Sequence, residues 1–488
     1  MKKLSSIFCL WAVLLSSCEK YLSEEPKKQV TIQNAEQLDA LMNNVNRYET
    51  NYAAGYATDD TEIPKDIFAA NTTRFTLAYM FYYVLDPEAM ATAATDALWN
   101  AEYTKILQAN LVLFNLDKIT GTEQEKNILK ADALFIRGYS NWLLVNHYAM
   151  PWKPGVNDDA QGIPLKKSID YAESLERATL KQTYDAILED ITTAASLTPN
   201  DDVQDRLRWR VSRKAISAFL SRYYLFLGDY DKTIQYADEA LGSSTAKLYD
   251  YKTIIAGNSA SFTNPVATLT YSELNDWAAS KFLFWSEFYY TRYSYIATQW
   301  YVPSAGLRSL YDQGNDLRFK WFFIPNGGRR MSVVDANSWR YTVFNDGRYL
   351  PSGPTIAEVL LNKAEAMART DKWSTALTPV NTLREKRMTT PDPLAASSQD
   401  DAIAKVLQER RRELPFAYRF LDIRRFSANN YPADDVTVTR DFWQVNQGGV
   451  DVTTPRTYTL EPGSPRYALP ITTVEINNSQ GALKQNPY

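Results

Sequence analysis

Apolar and polar positions follow a helical period over much of the chain. In "ILKADALFIRGYSNWLLVNHY", Ile128, Ala131, Phe135, Tyr139 and Trp142 recur at spacings of 3, 4, 4 and 3, which is one face of an α-helix. In "TLKQTYDAILEDITTAASL", Leu180, Tyr184, Ile187, Ile191 and Ala194 do the same. In "VSRKAISAFLSRYYLFLGDYDKTIQYADEAL", a stripe of Ala215, Phe219, Tyr223 and Phe226 halts at Gly228. A second stripe then runs through Tyr230, Ile234, Ala237 and Leu241. Glycine at the close of one helix, followed by Asp229 as an N-cap, predicts a tight helix–turn–helix. The stretch "AEVLLNKAEAMARTDKWSTALTPVNTLREKR" repeats the design. One helix ends near Thr370, Asp371 caps the next, and Trp373, Ala376, Val380 and Leu383 face inward.

Small residues inside paired helices, with an aromatic just past the turn, resemble the tetratricopeptide pattern, in which stacked pairs bury a continuous core. These segments fall mainly in 98–242 and 354–426. Nearer the start, "NAEQLDALMNNV" offers Asn34 as an N-cap, with Leu38, Leu41 and Val45 on one face. Across 243–353 the stripes weaken and aromatic density climbs. From Asn429 onward, turn signals such as "NQGGV" and "EPGSP" alternate with short extended runs, which predicts a loop and small-strand cap. The fold class is therefore mainly α, with loop-rich and short-strand insertions.

The first residues change the picture of where the protein acts. Lys2 and Lys3 precede the mostly apolar run Leu4 to Leu15, which falls short of the roughly 20 residues that cross a bilayer. Ser16 and Ser17 then lead into Cys18. Apolar, small, small, cysteine is the order of a bacterial lipobox, whose thiol receives a diacylglycerol and becomes the new N-terminus. Cys9 would leave with the leader, so a disulfide has no second thiol. The plainer alternative is an ordinary signal peptide with a chance cysteine. This gives a signal peptide at 1–17, a lipid-anchored tether at 18–33 and a body at 34–488. Apolar residues make up 45% of the chain, enough for a large core, and no later run is long and apolar enough to span a membrane. With 57 acidic against 53 basic residues, the balance argues against a nucleic-acid binder.

The order of motifs after the lipobox resembles the SusD/RagB family of outer-membrane lipoproteins over most of the mature chain. The stretches that carry the likeness are "LWNAEYTKILQAN" at 98–110, "ADALFIRGYSNWLLVNHYAMPW" at 131–152, "GIPL" at 162–165 and "YDAILEDITTAASL" at 184–197. They continue with "RYYLFLGDYDKTIQYADEAL" at 222–241, "AEVLLNKAEAMART" at 357–370, "VNTLREKR" at 380–387, "ERRRELPFAYRFLDIRRF" at 409–426 and the closing "ALPI" and "QNPY". Pro415, Phe416 and Ala417 stand where members often carry acidic or small residues. The resemblance implies a helical body built on tetratricopeptide-like pairs. It also implies capture of oligosaccharide, or of peptide in some members, for a SusC-type TonB-dependent transporter.

A glycan needs flat apolar faces for its pyranose rings and planar polar groups for its hydroxyls. The chain carries 12 Trp and 32 Tyr, and the densest stretch is 277–301. There Trp277, Trp285, Tyr289, Arg292, Trp300 and Tyr301 are candidate contacts, with Trp321 added by "RFKWFFIPNGGRR". The competing reading packs each of these rings into the core. A second candidate is "YAAGYATDDTEI", where Tyr52, Tyr56, Asp59 and Asp60 sit in a region that often touches ligand in the family. Helix capping competes there, and a calcium role lacks the spacing of a calcium-binding loop. Trp99, Asn100 and Asn110 read as framework. Arg137 and the cluster Glu409, Arg412, Glu413, Arg419, Asp422 and Arg424 read as structural ion pairs.

Absences narrow the chemistry. The one histidine, His147, lies inside a helix motif, so histidine triads and His/Cys zinc sites lack parts. "PNGGRR" does not end as a phosphate-binding loop does. No cofactor or metal is called for. The expected role is a binding protein and not an enzyme. The alternatives are a tetratricopeptide-type lipoprotein that binds peptides or envelope proteins, and a glycosidase working with two carboxylates.

Overall fold

The computed structural model describes residues 32–43, 49–199, 201–203, 207–256, 269–270, 285–296, 301–325, 339–341, 343 and 349–488. Among them, helices α1 (Ala35–Met42) and α2 (Leu77–Val84) precede the long helices α3 (Ala97–Asn115), α4 (Glu123–Tyr148) and α5 (Leu180–Leu197). Then come α6 (Arg213–Leu227), α7 (Tyr230–Leu241), α8 (Ile356–Ala368), α9 (Leu377–Arg384), α10 (Gln399–Glu413) and α11 (Arg419–Phe426). Helix α4 packs between α3 and α5, α6 packs on α7, and α8 touches α7, α9 and α10. The stripes read from the sequence are the packing faces: Ala131, Phe135, Tyr139, Trp142, Leu180, Tyr184, Ile187 and Ile191 are all buried.

Helix starts are chemically marked. Thr122 and Thr179 form capping boxes with Glu125 and Gln182. At the α6–α7 turn Gly228 takes the left-handed region at φ 73°, and the Asp229 side chain accepts from the Lys232 N–H. Asn34 caps α1 as expected, but Leu41 is exposed and the buried face is Ala35, Leu38 and Met42. Val45 lies outside the described residues. The second helix pair also differs. After α8 the chain makes a 3₁₀ turn at Trp373–Thr375, and α9 begins at Leu377 without a side-chain cap. Pro379 accounts for this, since it has no N–H to close a helical bond onto Thr375 and is tolerated only in a first turn.

Strands are few. β1 (Glu49–Asn51) pairs parallel with β2 (Tyr293–Tyr295), placing Asn51 opposite Tyr295. β2 pairs antiparallel with β3 (Tyr349–Pro351). Beyond α11 the tail forms a longer hairpin than its turn signals suggest, β4 (Val438–Asn446) with β5 (Gly449–Leu460). Val438, Arg440 and Phe442 alternate inward along β4.

Buried ion pairs join the helices. Arg222 meets Glu358 through two hydrogen bonds of 2.7 Å, and Arg137 chelates Asp190 while donating to Asn110. Glu409 accepts from Arg318, Arg384 and Arg412, and Asp422 from Arg410 and Arg425. These match the structural role read from the sequence. Arg424 departs from it, because its guanidinium donates to the Ala149 carbonyl instead of a carboxylate. Its burial without a carboxylate beside it holds its pKa down at about 10.

Candidate functional site

The expected ring shelf is not found among its described members. Trp285 lies against Tyr249 with ring centres 4.9 Å apart, and the Tyr289 hydroxyl donates to the Ala240 carbonyl. Tyr301 packs on Phe416, and its hydroxyl accepts from the Ile296 N–H. All three are buried, so no face is open to a sugar. Arg292 is equally buried, donating to Glu102 at 2.7 Å with its guanidinium over the Tyr139 ring. These assignments are corrected to core roles. Trp321 is half-buried, and the Lys320 ammonium sits 4.5 Å above its ring. Trp277, Trp300 and the anchor Cys18 lie outside the described residues.

The 52–63 segment is corrected in the same way. Tyr52 and Tyr56 are interior, against His147 and Tyr79. Both Asp59 oxygens accept from Arg419, while Asp60 accepts from Arg411 and from the Phe416 N–H. Burial pushes the Asp59 carboxyl up, but Arg419 and Arg411 outweigh it and hold it at about 2. Capping a helix is not their work either. They clamp the loop after β1 to α10 and α11.

Next to this clamp is a hollow of about 190 Å³ whose polar groups are not all engaged. The end of β1, the 3₁₀ turn at 53–57, helix α2, the stretch 90–95, the start of α3, the end of α4 and the stretch 469–472 converge on it. The short apolar sequence "LAYMFYYV" makes α2. Its residues Ala78, Tyr79, Phe81 and Tyr82, at successive helical positions on one side, face the hollow. Tyr79 and Tyr82 are half-buried, so ring surface remains at the rim.

Asp96 caps α3, and its Oδ1 accepts from the Leu98 and Trp99 N–H groups at 3.0 and 3.1 Å. Burial raises its pKa, since none of its close partners is a cation, and the hydrogen bonds it accepts work against that rise. Trp99 meets Tyr148 edge-on at 4.9 Å and fixes that ring at the end of α4. The Tyr148 hydroxyl is buried beside the Asp96 carboxylate and has no other hydrogen-bond partner. The Asn51 side-chain oxygen, also in the wall, is unpartnered. The hollow thus sets the half-buried rings of Tyr79 and Tyr82 beside a wall that includes Asp96, Asn51 and Tyr148. At 190 Å³ it falls below the ~300 Å³ at which drug-sized pockets begin, and suits a single ring-sized unit.

None of Asn51, Tyr79, Tyr82, Asp96 or Tyr148 was singled out from the sequence. Tyr79 and Tyr82, three apart beside an acid that starts a helix, were the available signal. The meeting of Tyr148 with Asp96 is not visible there, because the two lie more than 50 residues apart.

The fold is that of a protein built on packed helix pairs. Residues 20–225 match the family described as starch-binding, associating with the outer membrane, and residues 355–488 match the SusD family. SusD-like protein P2 of Formosa agariphila is 24% identical over 383 residues, taking in 69% of this chain and 72% of that protein. A SusD-like carbohydrate binding protein from Bacteroides vulgatus superposes with a TM-score of 0.63 at 18% identity, over 94% of this chain and 99% of that one. Surface glycan-binding protein A from Bacteroides uniformis gives 0.65 at 17% identity, over 92% and 98%. The chain belongs to the SusD/RagB family. Members of that family bind carbohydrate, are not enzymes, and are associated with the outer membrane. No helix among the described residues is long and apolar enough to cross a membrane.

Proposed function

We propose that this protein captures oligosaccharide at the cell surface, seats one sugar unit in the Asp96–Tyr148 hollow, and passes the chain to a SusC-type TonB-dependent transporter. Lipid on Cys18 holds it to the outer membrane, where several acyl chains anchor far more firmly than one. The observation that carries the reading is the buried Asp96 carboxylate, without a cation among its close partners, in the wall of a hollow rimmed by the half-buried Tyr79 and Tyr82 rings. Hydroxyl-rich ligands donate to such a carboxylate, whereas an apolar one does not. The role is binding without turnover. Asp96 is the one carboxylate among the described lining residues, and glycosidic hydrolysis ordinarily needs two that flank the bond.

The test is retardation in gels that contain soluble polysaccharide, followed by calorimetric titration of the matching oligosaccharide. Asp96→Asn keeps a good helix cap and the side-chain size, so stability stays level. Affinity should fall at least tenfold, about 1.4 kcal/mol, because one charged acceptor is lost. Equal affinity in the two proteins would refute the placement. For the anchor, Cys18→Ala protein should leave the membrane fraction on extraction in buffer alone.

A further inference from the structure

A second hollow lies among the helix repeats and shares no lining residue with the first. We propose that it is a second carbohydrate-binding site, taking a neutral oligosaccharide segment two or three rings long. The ligand class rests on the glycan reading above, and the site itself stands on its own geometry. Its volume is about 500 Å³, inside the ~300–1,000 Å³ of small-molecule pockets.

Four half-buried rings wall it: Trp152, Phe226, Tyr230 and Tyr431. Three of them are braced from behind or at the rim. Trp152 packs on Tyr184 at 4.8 Å and its Nε1 donates to Asp158. Phe226 meets Trp142 at 5.0 Å. The Tyr431 hydroxyl donates to Asp400 Oδ1 at 2.7 Å. Braced rings lose little freedom when a ligand lies on them, which favours binding. Between the rings the α6–α7 turn shows bare backbone. Gly228 sits at φ 73° with nothing within 4 Å of where a Cβ would stand. A ligand can therefore approach the main chain closely at that point.

The charge of the lining selects against ions. Arg369 and Arg425 belong to the wall, but Arg369 is held by Glu365 and Asp434, and Arg425 by Glu365 and Asp422. That leaves one ammonium, Lys153, and one carboxylate, Asp400, in the wall, together with the exposed Asn430. Equal and opposite charges give neither an anion nor a cation an advantage. Ring faces for pyranose hydrogens, with isolated polar groups for hydroxyls, fit a neutral sugar. A peptide strand is less well served, because the described lining is made of helix ends and turns with no strand edge to pair with.

The experiment uses the whole protein in gels containing starch, laminarin, xylan or galactomannan. Wild type, Asp96→Asn, Tyr230→Ala/Tyr431→Ala and the combined triple variant are compared, with thermal melts as the folding control. Asn430→Trp fills the mouth without removing a packed group, and so covers the case in which the double variant does not fold. The expected result is that Asp96→Asn keeps residual retardation by the polysaccharide that holds the wild type. That residue is lost in the triple variant, and each hollow's variants alone lower retardation at least threefold. Should Asp96→Asn abolish all retardation, or should the Tyr pair and Asn430→Trp leave it unchanged, the second site falls while the first stands. Should no polysaccharide retard the wild type, both readings fall. A peptide competed off by Asn430→Trp, with no sugar bound there, would overturn the ligand class.

Discussion

Two neighbouring stretches, 52–63 and 78–98, carry the same kinds of residue and do opposite things. Each offers tyrosines and aspartates in a region of short helices and turns. In the first, every acid is matched: Asp59 by Arg419 and Arg411, Asp60 by Arg411 and the Phe416 N–H, and the exposed Glu62 by the Ala305 N–H. Its tyrosines are interior. In the second, Asp96 has no cation among its close partners, and its buried side-chain neighbour is the hydroxyl of Tyr148. Residue type alone therefore does not mark a binding site. What marks it is a carboxylate left without a cation in the wall of a space that a ligand can enter.

The sharpest break in this comparison is expected from the saturated stretch. Asp60→Ala removes one of the two carboxylates that hold Arg411 and leaves the buried Phe416 N–H without its acceptor, and should cost about 3–5 kcal/mol in chemical unfolding. A loss under about 1 kcal/mol would mean that the clamp is replaceable. Trp285→Ala should cost a similar ~3–5 kcal/mol through the cavity it leaves. Glycan affinity of the folded fraction should stay within twofold of wild type, since the ring is core and not shelf. A larger drop in affinity would restore Trp285 as a contact.

Acid titration separates the two kinds of carboxylate. Arg292 and Lys105 outweigh the burial of Glu102 and hold it at about 2, as the arginines do for Asp59. Both contribute stability that is complete above the ordinary carboxylate range and is lost as pH falls towards 2. Glu287 has the opposite sign. Burial pushes its carboxyl up to about 7, with Glu413 adding to the rise and Arg387 opposing it. Between its ordinary value of 4.5 and 7 the native state keeps a proton that the unfolded chain releases, so this contribution fades as pH rises. Glu287→Gln should flatten the decline in melting temperature between pH 5 and 8 by about 2–4 °C and leave the acid limb in place. An unchanged upper limb would show that Glu287 is ionised throughout.

The helical half was legible because one period governs both local structure and burial. Leu180, Tyr184, Ile187 and Ile191 needed no tertiary knowledge to be placed inside. The turn at Gly228–Asp229 was equally plain, since its residues have few other uses. Segment 285–301 misled for a physical reason. A ring that can stack on a sugar can stack as well on another ring, and Trp285 with Tyr249, or Tyr301 with Phe416, satisfied themselves internally. Order along the chain cannot say which partner wins. The same holds for Asp59 and Asp60, whose arginines lie about 350 residues further on. The hollow at Asp96 is not legible because the lack of a cation beside that carboxylate is set by tertiary packing.

One measurement tests that claim most directly: thermal melting and oligosaccharide titration of Asp96→Asn beside wild type. Replacing a buried carboxylate that no cation holds with its amide should leave stability level, while glycan affinity falls at least tenfold. A melting temperature that drops, or an affinity that does not move, would contradict the account.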